Sequence, residues 1–229
     1  MKIDVLDHGY VRLVNSMGTE VDIANAARVS YDKEIITLEE KDKKLIKYLI
    51  RHHHDSTLRH NVMTFEVYAP LMVARQWYKH AVGSTHVEEQ NGWNESSRRY
   101  ITEDPVFYVP EFDEWREKAA SNKQGSGAPV SKDTGVIATK LLQAHAQKSL
   151  ELYDDAMARG ISPEQARMFL PAYSMYVRWR WTASLNAILS FLELRKGETA
   201  QDEITEYANA VEVFVEGLYP ITTEAWNAR

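Results

Sequence analysis

Apolar and polar residues alternate loosely from Ile3 to Val14, which predicts an early strand ending near Gly18. The period then changes: Ile23, Ala26 and Ala27 fall on one side of Val21–Val29, a short helix ahead of Ser30-Tyr31-Asp32. From Leu38 to His52 the apolar residues Leu38, Leu45, Ile46, Leu49 and Ile50 keep helical spacing against a charged opposite face. Strand alternation returns at Asn61–Tyr68, with Val62, Thr64, Glu66 and Tyr68 set against Met63, Phe65 and Val67. Pro70 closes that strand, and Leu71–His80 restarts as a helix.

The second half is more helical. Glu111–Ala120 predicts a short helix, and Ser121–Pro129 a flexible loop rich in Gly and Ser. Val136–Ala158 predicts a long helix stopped by Gly160. Ser162-Pro-Glu-Gln165 has the form of a capped helix start, with Ser at the cap and Pro at the first position. Tyr173–Trp181, rich in aromatic and β-branched residues, predicts a strand; Ala183–Arg195 and Thr199–Tyr219 predict helices separated at Gly197. The sum is an α+β chain, helix-dominated, with a small, mostly antiparallel sheet. No repeat or composition shift divides it, so residues 1–229 are expected to form a single domain.

Composition narrows the function. Lys and Arg number 27 against 33 Asp and Glu, a formal charge of −6, which argues against a general nucleic-acid or membrane-surface binder. With no cysteine, thiolate nucleophiles, disulfides and Cys-ligated metal centres are excluded. No run approaches the ~18 apolar residues of a membrane span. Met1-Lys-Ile-Asp-Val-Leu-Asp7 carries acids where a signal peptide needs an apolar stretch, so a cytoplasmic location is expected.

The polar chemistry concentrates in two nearby runs, Arg75-Gln-Trp-Tyr-Lys-His80 and Asn94-Glu-Ser-Ser-Arg-Arg-Tyr100. Cations to neutralise a phosphate, hydroxyls and an amide to orient it, and a carboxylate to read a sugar hydroxyl suit a phosphorylated ligand. On the predicted helix, Arg75 and Lys79 share one face, one turn apart. The plainer alternative is a solvated basic face followed by a polar stretch. If the second run is extended, Glu95, Ser97 and Arg99 point the same way. Ser97 has no neighbouring base, which leaves a hydrolase reading without local support. Two further arginines stand apart: Arg167, before an apolar run, and Arg195, at the end of an apolar helix. Arg195 either caps that helix or, partly buried, stabilises charge developing on a neutral ring. His52, His53, His54 and His60 are dense but cannot easily converge on one ion, so no metal is expected.

At these residues the chain resembles the flavin-dependent thymidylate synthases. The family's Arg-Gln-Trp leading into Arg-His-Arg is matched by Arg75-Gln76-Trp77 and Lys79-His80-Ala81, and its Asn-Glu-x-Ser-x-Arg-Tyr by Asn94–Tyr100. Upstream, His54-Asp-Ser56-Thr-Leu-Arg59-His60 follows the family's His-x-Ser-Pro-x-Glu-His, with Arg59 in place of Glu. Downstream, Ala166-Arg167-Met-Phe-Leu170-Pro171, Ser190-Phe-Leu-Glu-Leu-Arg195 and Thr199-Ala-Gln-Asp-Glu-Ile204 continue the match, with Thr199 at the usual His. Thr85–Trp93 is an insertion relative to the pattern.

The resemblance implies methylation of dUMP to dTMP, with methylenetetrahydrofolate as carbon donor and bound FAD reduced by NADPH. It places Gln76, Lys79, Glu95, Ser96, Ser97, Arg98, Arg99 and Arg167 at dUMP, and Arg195 as the catalytic cation at the ionising uracil. Ser56, Lys79, His80, Ala81, Ser184, Asn186 and Ser190 would lie along FAD. It further implies an α/β family fold and a homotetramer whose sites draw on several subunits. Lys79-His80-Ala81 carries one point charge where the pattern has two guanidinium forks. The alternative is a non-catalytic nucleotide-binding relative with lost or weakened flavin binding.

Overall fold

The computed structural model describes residues 1–81, 92–97, 99, 103–120 and 125–229. Its centre is a five-stranded antiparallel sheet in the order β1-β2-β3-β7-β4. The segment expected as one early strand is a hairpin, β1 (Lys2–Val5) and β2 (Gly9–Met17), because Leu6 adopts a positive φ and the chain reverses there. Next to it lies β3 (Val62–Pro70), and β7 (Tyr176–Ser184) pairs with β3 along its whole length, from Val62↔Ser184 to Pro70↔Tyr176. The short edge strand β4 (Trp93–Glu95) completes the sheet. Trp93, expected in the insertion, therefore belongs to the sheet, while residues 85–91 lie outside the described residues.

The two-residue period fixes the faces of the sheet. Val11, Met63, Phe65, Val67, Val177, Trp179 and Trp181 are buried on the inner face. Tyr10, Arg12, Glu66, Tyr68, Arg178 and Arg180 share the outer face, where Glu66 stands opposite Arg12 and Arg180, and Tyr68 opposite Tyr10 and Arg178. Against the inner face pack α3 (Leu71–Trp77), α6 (Leu185–Arg195) and α7 (Asp202–Leu218). At one end α1 (Glu20–Arg28), α2 (Glu40–Arg51) and α8 (Pro220–Asn227) close the core. Helix α8 was not anticipated; Pro220 occupies its first turn, where the missing N–H costs nothing.

Gly9 is a point of close approach. A Cβ there would stand 1.8 Å from the Tyr207 hydroxyl and 2.7 Å from the Tyr68 carbonyl oxygen, and these two atoms are themselves hydrogen bonded at 2.9 Å. Gly9→Ala is expected to destabilise the protein by about 1–3 kcal/mol. The midpoint of urea unfolding measures it; an unchanged midpoint would contradict the packing.

Three expectations change. The helix predicted for Leu71–His80 stops at Trp77, so Arg75 and Lys79 do not share a helical face. The His80 N–H bonds the Trp77 carbonyl at 2.9 Å, a tightened turn that drops the His80 ring into the interior. Glu111–Ala120 is no helix: the chain turns at residues 112–114 and forms β5 (Arg116–Lys118), paired with β6 (Ser126–Pro129) inside the expected loop. That hairpin is tied down by the Val130 N–H to the Trp115 carbonyl, at 2.9 Å, and by the Trp115 indole to Thr139 on α4 (Lys132–Ala158). Residues 121–124 of that loop lie outside the described residues. Finally, the Ser162 side chain makes no cap bond to α5 (Pro163–Ala166); Pro163 and the Ser162 carbonyl start the helix, which runs into a 3₁₀ turn at Arg167–Phe169. Helix α4 ends as expected, on Gly160 at φ +82°.

Candidate functional site

A cleft of about 540 Å³ opens where β7 and β4 meet the start of α3 and the turn after α5. Polar groups for it come from Arg75 on α3, Glu95 on β4, Ser96 and Ser97 just beyond it, Arg167 and Arg178, with Glu103 and Asp104 also on its wall. The segment carrying the serines is held to the sheet by its backbone: the Ser96 N–H donates to the Arg178 carbonyl at 2.7 Å, and the Arg178 N–H donates to Ser96 Oγ at 3.0 Å. One Arg75 nitrogen reaches both Glu95 oxygens, at 2.7 and 3.0 Å, and the Trp93 indole adds a third donor at 3.2 Å. Glu95 is therefore a fixed carboxylate at the cleft wall.

Arg167 is different. Its Nε donates to the Glu164 backbone carbonyl at 3.1 Å and its Nη1 to Ser97 Oγ at 3.3 Å. Both acceptors are neutral, so within the described residues the guanidinium is oriented without being neutralised. A cation arranged in this way suits an anionic group brought in by a ligand. Arg99 sits further out, bonded through Nε to Glu164 at 3.1 Å, and its own N–H reaches Ser97 Oγ at 3.3 Å. Arg98 and Tyr100 lie outside the described residues.

A second cluster, outside the cleft lining, lies at the C-terminal end of α3. The Arg195 Nε donates to His80 Nε2 at 3.0 Å, and its Nη2 to the Gln76 carbonyl at 3.3 Å. Gln76 Nε2 in turn donates to Gln201 Oε1 at 2.6 Å. Arg195 thus does not cap α6; its side chain turns toward α3. Burial draws the guanidinium below its ordinary pKa, and again neither acceptor is charged. His80 is held neutral, its pKa lowered to about 4, first by burial and then by the charge of Arg195.

Residues 12–221 match the family described as thymidylate synthase complementing protein. The chain belongs to the flavin-dependent thymidylate synthase family. The family's enzyme from Thermosipho africanus is 38% identical over 227 residues, covering 99% of this chain and 94% of that protein. That from Thermus thermophilus is 39% identical over 229 residues, covering 100% and 78%. Among solved structures, the UMP/dUMP methylase PolB from Streptomyces cacaoi bound with 5-Br dUMP superposes with a TM-score of 0.82 at 28% identity, over 99% of this chain and 97% of that one.

Of the residues that the family resemblance assigns to dUMP, the cleft gathers Glu95, Ser96, Ser97 and Arg167. Gln76 instead faces the Arg195 cluster, and Lys79 is exposed, with its ammonium 5.9 Å from the centre of the Tyr78 ring. The residues assigned to flavin fall into two groups. Exposed Ser56 lies in the 3₁₀ turn Asp55–His60, which packs against α6; Ser184 and Asn186 are buried at the start of that helix, where Ser184 Oγ accepts the Ala187 N–H at 3.3 Å. Half-buried Ser190 lies midway along α6, while Lys79, His80 and Ala81 lie toward its other end, where His80 meets Arg195. A single chain therefore spreads these residues along a helix of roughly 16 Å.

Sequence reasoning missed the outer-face network that borders the cleft. Arg178 Nε donates to the Tyr10 hydroxyl at 3.2 Å, Tyr10 donates to Glu66 at 2.9 Å, and Arg12 pairs with Glu66 at 2.8 Å. Burial works against the Glu66 charge, but the bonds from Arg12 and Tyr10 outweigh it and hold the carboxyl below its usual range. The signal was the alternation of β3 and β7, which put Glu66 and Arg178 on polar positions; their pairing needed the strand register. Gln201 was missed as well, being part of a longer motif with no chemistry of its own in sequence.

Proposed function

We propose that this protein transfers a one-carbon unit from methylenetetrahydrofolate to C5 of dUMP and reduces it to the methyl of dTMP, with NADPH as reductant. The observation that carries this reading is Arg167, an oriented guanidinium whose acceptors among the described residues are neutral, set beside Ser96, Ser97 and Glu95 in the cleft. In this reading Arg167 and Arg99 meet the phosphate, Ser96 and Ser97 orient it, Glu95 accepts from a sugar hydroxyl, and Arg98 adds a further cation. Gln76 on α3, and Lys79 in the turn beyond it, reach dUMP from the side of the Arg195 cluster. Arg195 stabilises negative charge on the uracil as N3 ionises. No thiol is required, in keeping with a chain that has no cysteine.

The flavin-side residues of this chain suit FAD: Lys79, next to the small Ala81, offers an exposed cation for a diphosphate, and Ser56 and Ser190 offer hydroxyls further along α6. When bound, FAD supplies the hydride that NADPH first delivers. The spread of Ser56, Ser184 and Asn186 away from His80 and Ala81 along α6 supports a site completed by other copies of the chain, in a homotetramer. So do Ile137 and Leu141, one turn apart on α4 and 59% and 66% exposed. Among the described residues no helix is long and apolar enough to cross a membrane.

Purified protein is expected to carry a flavin absorbance band and to oxidise NADPH in a dUMP-dependent manner when the folate is present. A colourless protein that still binds dUMP would favour the second reading, a nucleotide-binding relative, to which Ala81 in place of a guanidinium points. Arg167→Ala is expected to weaken dUMP by about 1.5–3 kcal/mol and deoxyuridine far less. Calorimetric titration with both ligands checks it; equal losses would remove Arg167 from the phosphate.

A further inference from the structure

His80 lies outside the cleft, yet its side chain is closely held. It is 8% exposed, and its ring meets Phe191 edge-on at 5.1 Å, while Phe191 stacks on Trp77 at 4.3 Å. Its backbone N–H is tied to the Trp77 carbonyl at 2.9 Å. Ring and main chain are therefore both held before Arg195 arrives. Arg195 is anchored separately, since its own carbonyl accepts the Thr205 hydroxyl at 2.8 Å. An arginine Nε can only donate, so the contact at 3.0 Å requires a lone pair on His80 Nε2 and the ring proton on Nδ1.

We propose that His80 is a positioning residue for Arg195, its neutral imidazole fixing the guanidinium through Nε without cancelling its charge. A long, flexible side chain gains catalytic value only when it is held where charge develops. A carboxylate in this place would orient Arg195 equally well, but it would form an ion pair and spend the positive charge on the protein itself. An imidazole gives the same directionality and leaves the charge whole. Burial and the neighbouring cation keep the ring unprotonated; a protonated ring would set two donors against each other. A further Arg195 contact, Nη2 to the Gln76 carbonyl at 3.3 Å, is to a second neutral acceptor. Both anchors follow one rule: hold the guanidinium and leave it cationic. The side-chain acceptor of His80 is therefore used within the chain, which separates it from Lys79 and Ala81 beside it. The catalytic value of this arrangement rests on the reading in which Arg195 meets the uracil.

The test compares His80→Leu, His80→Gln and His80→Glu in the flavin-loaded protein. His80→Leu is expected to lower kcat by about 100-fold, the scale of a misplaced catalytic group, with little change in dUMP affinity or in flavin bound per chain. His80→Gln, whose carbonyl oxygen also accepts from Nε, restores much of the rate. His80→Glu restores the geometry but not the rate. Leu and Gln variants of equal kcat would overturn the proposal. So would His80→Leu losing flavin in proportion to activity, which would make the ring a cofactor contact. A readout independent of turnover is the ¹⁵N spectrum of the His80 ring, expected to show Nδ1 protonated and Nε2 accepting. An Nε2-protonated ring overturns the positioning whatever the rates. The accepting ring in a protein whose Arg195→Ala variant keeps its kcat would instead show that Arg195 is positioned but its assigned role in turnover is wrong.

Discussion

Arg195→Ala is expected to reduce kcat by about 100- to 1,000-fold, the usual effect of deleting one preorganised donor to developing charge. Affinity for dUMP should fall much less, because, in the proposed reading, Arg195 meets a uracil ring that is neutral in the ground state and gains charge only as N3 ionises. The structure supports the asymmetry. Arg195 is partly buried and bonded to two neutral acceptors, so its charge is available and already oriented. Arg195→Lys keeps a charge but not the fork that spans His80 and Gln76, so it should recover only part of the rate. Single-turnover kinetics with separate equilibrium titration of dUMP distinguish the two effects. A matching loss of affinity, with the rate at saturation unchanged, would show that Arg195 binds substrate and does nothing special in the reaction.

The largest expected effect on stability is at Trp77. Its ring is fully buried, stacks on Phe191, and meets Trp179 and Trp181 edge-on at 5.5 and 5.4 Å. It is the residue through which α3 grips both β7 and α6. Trp77→Ala should cost about 3–5 kcal/mol through lost burial and the cavity left behind. In a chain of this size that is a fall in Tm of roughly 6–20 °C. The Trp77 indole N–H is buried without an acceptor among the described residues, so Trp77→Phe removes an unsatisfied donor along with some area. The phenylalanine variant is therefore expected to stay much closer to the parent. Scanning calorimetry of the two variants checks both statements; equal Tm losses would mean that ring packing is not what Trp77 contributes.

Much of this was legible along the chain. The two-residue alternation of Asn61–Tyr68 set Phe65 and Val67 against Glu66 and Tyr68, and the sheet buries the first pair on its inner face. The helical stripes at Leu38–His52 and Ala183–Arg195 became α2 and α6 within a few residues. Where reading failed, a non-local partner decided. Helix α3 looked long enough to reach His80, but burying that ring against Phe191 ended it at Trp77. Glu111–Ala120 was expected as a helix, but Arg116–Lys118 pairs with Ser126–Pro129 instead, and the Trp115 indole is tied to Thr139 on α4.

By itself the sequence determined the faces of the elements, the absence of thiol chemistry, and the residue types from which an anion site is made. Those follow from local periodicity and side-chain chemistry. Only the tertiary structure decided how each cation is held. Arg75 pairs with Glu95 and Arg99 with Glu164, while Arg167 and Arg195 are oriented, among the described residues, by the neutral acceptors Ser97 and His80. Those partners lie far apart along the chain, and strand register and burial bring them together; neither is encoded in any local run of residues.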